Sequence, residues 1–550
     1  MATKVFFDNK QISLPGAYAT IKSASNTPPI TANYGRVLVI DNGQGATFGG
    51  GSGISGDLAS GADSIYRFSK LQDYQSFLKG GIFWKAAQGL FKPYQRELGA
   101  SEILHVKAAT TTKATMTFTA TGGGSNGGTF KVNPRDEGVI ANGVQTGSGA
   151  SAHLDKGYGY TIVTGVKDTD KWIFKIWLGT WKGDYTDSIA YDEIDKADTT
   201  AQLVVASPEF NNIQELIDWG TNDSSFNAYF KLDATSAVAG DGTVAASDIS
   251  GLSGYQLASG GTETYSTDAL DTVLETVQEV DYAILLSDQY GTANYDSAAS
   301  SKMFVHLRDE AKFSKFMIVG GGADEDEFTA TDGSIDIAEY FDNIHAIVAH
   351  SNIKETSQRG SDGFRYWNTL IHAAYVAGRM AGLEPQIPLT NKALGIDGVV
   401  HNLTKSQKEL ALDSGVHVAA YNEYTDTFSI VQSVNTLQNN TYQINADATS
   451  FSTQIMRIVS QINRELVINV NAELLAAPRG VNVNTLGEGT LLNWTKKYLQ
   501  SRVASGGDDD LLLSWSDVTV ERSEDNYFVN YKIEVNGETT KIFFTGFLLS

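Results

Sequence analysis

The chain has 550 residues, 41% of them hydrophobic, with 54 glycines and 9 prolines; that is length for three to four globular domains, and it excludes a stapled mini-protein, a collagen-like chain and a wholly disordered one. Its 41 Lys and Arg against 64 Asp and Glu give a net charge of −23, a field that repels phosphate backbones and anionic lipid and argues against nucleic-acid binding. Cysteine is absent, which excludes thiolate nucleophiles, Cys-ligated metals and disulfides together.

The opening MATKVFFDNK runs into no signal-type apolar region, and nowhere do about 18 apolar residues follow one another. A soluble protein made in a cytoplasm, with no membrane insertion, is expected. From Gly35, GRVLVIDNG sets four apolar residues between turn formers, the pattern of a strand buried on both faces. A Gly-rich linker follows over 43–61. Then SKLQDYQSFLKG places Leu71, Tyr74 and Leu78 on one helical face, and SEILHVKAA supplies another strand.

Between about 110 and 265 the composition turns to Thr, Ser, Gly and Ala, the texture of loops and short strands. Within it KWIFKIWLGTW alternates in part as a strand does, and PEFNNIQELIDWG predicts a short helix with Pro208 near its start. This stretch is expected to be an insertion bulging from one side. From 266 the alternation resumes: STDALDTVLETVQEV sets Leu270, Val273, Leu274, Val277 and Val280 on one helical face, and DYAILLS is the next buried strand. A helix over 303–311, the strand FMIVGGG, the helix IDIAEYF, the strand HAIVAHS, the helix TLIHAAYVAGRMAGL and the strand VHVAAYN complete the pattern. Repeated alternation predicts an α/β core with a mixed, mostly parallel sheet, assembled across the insertion.

Past Asn435 a long helix carries Phe451, Ile455, Val459, Ile462, Leu466, Val470 and Leu474 in near-heptad steps, and LLNWTKKYLQSRV follows as a second helix. Three strands close the chain, LLLSWSDVTVER, NYFVNYKIEV and TKIFFTGFLL, the last two joined by the hairpin signal Asn536-Gly537. The expected organisation is an N-terminal arm (1–34), the first part of the α/β core (35–109), an inserted β-rich surface domain (110–265), the second part of the core (266–437), a small α+β C-terminal domain (438–540) and a C-terminal arm strand (541–550).

No constellation demands catalysis. Gly51, Gly53 and Gly56 satisfy GxGxxG, but they stand about ten residues past the strand and lead into no helical periodicity, which favours a linker over a pyrophosphate cradle. The eight histidines, His105, His153, His306, His345, His350, His372, His401 and His417, form no HExxH or i, i+4 pair, and His345 and His350 are expected on opposite faces of a strand. The acidic run Asp324 to Glu327 lacks the spacing of a calcium loop and reads as solvated loop, as does the run Asp508 to Asp510. No GxSxG elbow is present. No catalytic, cofactor-binding or metal-binding residue is therefore assigned.

Taken in order, several segments resemble one family, the contractile tail sheath proteins of bacteriophages and related injection machines. LPGAYATIK is similar to the family's opening segment, IYRFSKLQDYQSFLKGG to its short helix-then-gap element, and FKPYQRELGASEILHVKA to the stretch that ends in the next strand. AAYVAGRMAGLEPQIPLTNKAL resembles its small-residue helix and Pro-containing loop, VHVAAYNEYTDTFSIVQSVNTL its paired strands, and SFSTQIMRIVSQINRELVINVNAEL its first C-terminal helix. The likeness covers most of 12–108 and 266–475. Where the family commonly has a Phe-Glu-Pro-Asn-like turn after the long helix, this chain reads LLAAPRGVN.

The resemblance implies a core likened in fold to subtilisin but without its triad, no enzymatic activity and no cofactor. The implied role is that of a virion-tail subunit, assembled in the host cytoplasm, which stacks with itself in hexameric rings around a tail tube protein and meets baseplate and tail terminator proteins. The sheath of a bacteriocin-like or other contractile injection system is the alternative, and a nucleotide-dependent α/β enzyme the second. The ends are apolar: Val5, Phe6, Phe7, Ala17, Tyr18 and Ala19 in the arm, Ile542, Phe543, Phe544, Phe547 and Leu548 in the last strand. A monomer would leave such segments as exposed edges. The resemblance implies that they add strands to neighbouring subunits' C-terminal sheets, linking subunits by backbone hydrogen bonds.

Overall fold

The structure, a computed structural model, describes residues 5–7, 10–12, 33–41, 65–78, 82–95, 97–119, 129–134, 142–146, 153–163, 171–179, 203–209, 213–227, 230–234, 256–265, 267–287, 302–307, 314–356, 363–437, 452–475, 487–503, 511–523 and 526–535. Its centre is a sheet of seven strands: β1 (Arg36–Asp41), β2 (Tyr66–Phe68), β3 (Glu102–Lys107), β4 (Ile284–Ser287), β5 (Phe316–Gly320), β6 (Ala346–Ala349) and β7 (Val416–His417). Their order is β7–β6–β5–β4–β1–β3–β2, all parallel except β2, which runs antiparallel to β3 at the edge.

Both faces of this sheet are covered, which explains the unbroken apolar runs. Val37, Val39, Ile103, Ile284, Leu286, Ile318 and Ile347 belong to one core cluster, with helices α1 (Leu71–Leu78), α2 (Ile82–Phe91) and α5 (Thr369–Gly382). The alternate residues Leu38, Ile40, Leu104, Val106, Leu285, Met317, Val319 and Val348 join the other cluster, with α3 (Thr267–Val277), α4 (Ser334–Phe341) and α6 (Lys405–Asp413). Successive side chains of a strand point to opposite faces, so a strand packed on both sides has no polar alternation to show.

Helix α5 is rich in small residues because it crosses α2 backbone to backbone. A Cβ on Gly378 would come 2.0 Å from the Gly89 carbonyl oxygen, with no flexible side chain in between to give way. Gly378→Ala is expected to cost about 3 kcal/mol by overpacking, read as a lower urea midpoint; an unchanged midpoint would show that the two helices can move apart freely.

Residues 109–265 contribute no strand to the central sheet among the described residues. Their two ends meet instead, Ala109–Thr112 pairing antiparallel with Thr262–Tyr265. Beyond this neck lie a three-stranded and a five-stranded sheet, the latter containing Lys171–Gly179, and the helix Ile213–Asn222.

The C-terminal part comprises α7 (Thr453–Asn469), which continues as a π-helical turn over Val470–Leu475, α8 (Glu488–Ser501), and the antiparallel strands β8 (Ser514–Ser523) and β9 (Asn526–Glu534). Helix α7 is shared: Met456 and Val459 pack on the α/β core, while Ile458 and Ile462 pack with Tyr498 and Leu499 of α8. The near-heptad reading needs correction here. Ile455, Val459, Leu466 and Val470 are only partly buried, whereas Gln454, Arg457, Gln461, Arg464 and Glu465 are the buried polar side of the helix. A helix enclosed by two partners buries more than one stripe, and its polar residues are then matched by specific groups.

Candidate assembly interface

Strands β8 and β9 form a two-stranded sheet whose inner face is held by Val518, Trp515, Tyr531 and Ile533 against α7 and α8. Asp517, at φ 50°, marks a bulge between Ser516 and Thr519 that twists β8. Among the described residues neither outer edge of this sheet pairs with a further strand. Phe528 and Leu513 beside it are 55% and 41% exposed. A pair of strands is marginal by itself, and open edges template further strands.

The expected exchange strands are placed as follows. Val5–Phe7 pairs with Lys10–Ile12 in a local antiparallel hairpin, Val5 opposite Ile12 and Phe7 opposite Lys10, where the sequence reads as one extended arm. Ala17, Tyr18, Ala19, Ile542, Phe543, Phe544, Phe547 and Leu548 lie outside the described residues, as do the third closing strand, the Asn536-Gly537 turn, the run 508–510 and the glycines of the GxGxxG match.

The sheet is fixed to the core by buried charge. Glu465, fully buried on α7, accepts from the Gln461 amide at 2.8 Å and the Tyr498 hydroxyl at 2.7 Å, and pairs with Arg502 at 2.6 Å, tying α7 to α8. Arg464 donates to the Asn33 carbonyl at 2.9 Å and to Asp281 at 2.7 Å. Asp281 also meets Arg36, which pairs with Glu102 at 2.6 Å. Asn33 is where the N-terminal arm joins β1, so arm root, core and C-terminal helix share one junction. Lys315 lies under it over the Tyr282 ring, its ammonium lowered to about 7 by burial and then by Arg464, against the opposing pull of Asp281.

Two turns before Arg464, Arg457 donates to the carbonyls of Met380, Leu383, Glu384 and Ile387, at 2.9, 2.5, 3.2 and 2.9 Å, capping the C-terminal end of α5. A cleft of about 300 Å³ lined by Tyr34, Pro385, Arg457 and Gln461 marks the seam. Arg457→Ala strands several buried acceptors at once, and a loss of about 4 kcal/mol is expected. Arg457→Lys should recover less than half of it, because an ammonium cannot fork to carbonyls on two sides. Equal stability of the two variants, measured by urea unfolding, would assign the cost to packing alone.

A second polar cluster sits at the carboxyl edge of the sheet, the usual place for ligand sites in such folds. Ser334, fully buried at the start of α4, stands 2.7 Å from His350 Nδ1, and His350 Nε2 stands 3.2 Å from His401 Nδ1. His401 Nε2 is 3.9 Å from Glu325 of the acidic run. His372 Nδ1 donates to the carbonyls of His350 and Ser351, and His417 Nε2 accepts from the Val434 amide. A hydroxyl beside an imidazole invites comparison with a nucleophile and its base. Here the Ser334 oxygen already accepts the Gly322 N–H at 2.6 Å, and Phe328, 1% exposed, covers His350. The arrangement is a closed hydrogen-bond chain, with no open face toward a substrate. Sequence spacing missed it because its histidines come from the residue after β6, from α5, from β7 and from the segment after the short strand Gly398–Val399; His345, by contrast, packs on Phe316.

Among the described residues no helix is long and apolar enough to cross a membrane, and no group of three acidic or histidine side chains is placed to hold a metal ion. No protein-family model and no curated protein matches the chain. Among solved structures it is similar to the sheath tail protein Lin1278 from Listeria innocua, with 16% identity over 92% of this chain and 93% of that one and a TM-score of 0.52. It is also similar to the sheath tail protein DSY3957 from Desulfitobacterium hafniense, with 14% identity over 95% of this chain and all of that one (100%) and a TM-score of 0.54. The likeness is one of fold: the chain has the architecture of sheath tail proteins.

Proposed function

We propose that the chain is the structural subunit of a contractile tail sheath that polymerises around a tail tube and contracts to drive the tube through a bacterial envelope. The observation that carries this reading is the two-edged sheet of β8 and β9 held rigidly to the α/β core through α7. Each edge takes one strand, the N-terminal arm of one neighbour and the C-terminal segment 541–550 of another, and contacts that run from one surface to a different one close into rings or continue as helices. The fold it shares with two sheath tail proteins supports the same role, with the parallel sheet serving as a rigid body that need not catalyse. The arms link subunits in hexameric rings stacked along the tube, with baseplate and terminator proteins at the two ends. Contraction is then a rearrangement of rigid cores while the strand pairing persists. A bacteriocin-like injection machine would use the same geometry on a different target.

Negative-stain microscopy of the purified chain tests the reading. Tubes of uniform width are expected; discrete particles whose thermal stability rises saturably with a nucleotide would replace it with an enzyme.

A further inference from the structure

Arg457, Ser460, Gln461 and Arg464 follow one another at helical spacing on one face of α7, and all four line the half-open cleft of about 300 Å³ at its seam with the core. Phe316, Met380 and Pro385 give the cleft an apolar lining beside them. Both guanidiniums are deeply buried, Arg457 at 5% exposure and Arg464 at 2%. Burying a cation is costly unless an opposite charge comes with it.

Here that charge is incomplete. Among the described residues Asp281 is the carboxylate in ion-pair reach of Arg464, and Arg36 shares it. Arg457 pairs with none: its partners are main-chain carbonyls, taken by Nη1 and Nη2. The Glu384 carboxylate, next to those carbonyls in sequence, accepts the Gln386 amide at 2.7 Å. Burial lowers the Arg457 guanidinium to about 10, the response of a cation that lacks a counter-charge. Donors are left over as well. Arg457 Nε–H carries no bond among the described residues, and Arg464 Nε is buried without a partner. Ser460 accepts the Ser314 hydroxyl at 2.9 Å, which leaves its own proton to donate.

We propose that this cleft binds a small tetrahedral oxyanion, of the phosphate or sulfate class, which takes the uncommitted donors of Arg457, Ser460 and Arg464 and clamps α7 to the core. Guanidinium groups make strong charge-assisted bonds to such anions, and burial strengthens them. Donors that come from separate residues along one helix face ask for oxygens pointing in several directions, which a flat carboxylate does not offer. A chain of net charge −23 repels anions over most of its surface, so capture depends on the local surplus of positive charge at the seam. The site belongs to the subunit itself and does not rest on the sheath reading.

Urea midpoints of the full chain at pH 7.5, titrated with sodium phosphate, sulfate or acetate against sodium chloride of equal ionic strength, test it. Phosphate and sulfate should each raise the midpoint along a curve that saturates, as occupation of a site does, above the linear rise that these salts give any protein by exclusion from its surface. Acetate should leave the midpoint at its chloride value. Ser460→Ala, which removes a donor, should raise the half-saturating phosphate concentration roughly tenfold. Ser460→Asp, which supplies a tethered anion, should lift the midpoint in chloride alone and abolish the saturating component. Should Ser460→Asp not fold, the shift in Ser460→Ala decides. The proposal fails if the rise with phosphate is linear throughout, if acetate saturates equally, or if the serine variants respond as the parent does.

Discussion

Between pH 7.5 and pH 5.0 the folded chain should lose about 2 kcal/mol of stability for each buried imidazole that it keeps neutral. Four are lowered far enough to stay neutral over this range. His306 and His345 are lowered to about 4, and His350 and His417 to about 3, in every case chiefly by burial. His306 accepts or donates a bond with Tyr282 at 2.9 Å inside the core, and Lys315 adds to its depression. The sign follows from proton uptake. The unfolded chain binds protons on these rings near pH 6.5 and the folded chain does not, so their contribution is complete above that value and drains as pH falls toward 4 and then 3. Urea midpoints at the two pH values measure it. A flat profile would mean that water or a rearranged partner reaches the rings, and the packing described around them would be wrong.

Removing residues 541–550 should abolish assembly and leave the fold alone. In the proposed exchange this segment belongs to a neighbour's sheet, so its loss opens one edge per subunit without touching either core cluster. Far-UV circular dichroism and the urea midpoint should match the full chain, while microscopy should show no tubes. The hairpin Val5–Phe7/Lys10–Ile12 adds a step on the other side. Its three-residue strands pair locally, and such a hairpin has little stability alone, so opening it to reach a neighbour's edge costs little. Tubes formed normally by the truncated chain would assign the apolar end 542–548 to the subunit's own fold.

The α/β core was legible because its signal is local. GRVLVIDNG and FMIVGGG are apolar runs bounded by turn formers, and a strand buried on both faces must look like that. The pairing of Ala109–Thr112 with Thr262–Tyr265 left no more than a change of composition in the sequence, since the two segments lie about 150 residues apart and neither is distinctive. The buried junction between the C-terminal helix and the core was not legible. Arg457 and Arg464 stand in a helix whose hydrophobic spacing draws attention to Ile455 and Val459, and charged residues in such a pattern are expected in water. Their burial makes sense only once the carbonyls past α5 and the carboxylate of Asp281 are in place. The same holds for His350, His372, His401 and His417: the topology brings them together from four elements, and no spacing rule joins residues that far apart.

Cryo-electron microscopy of the assembled protein decides between strand exchange and contact through the cores alone. Four-stranded sheets are expected at every subunit contact, with β8 and β9 in the middle, an N-terminal strand from one neighbour on one edge and the 541–550 strand of another on the other, and α7 seated on its own core as it is here. Tubes in which β8 and β9 keep both edges free, with subunits joined through their α/β cores alone, would contradict strand exchange.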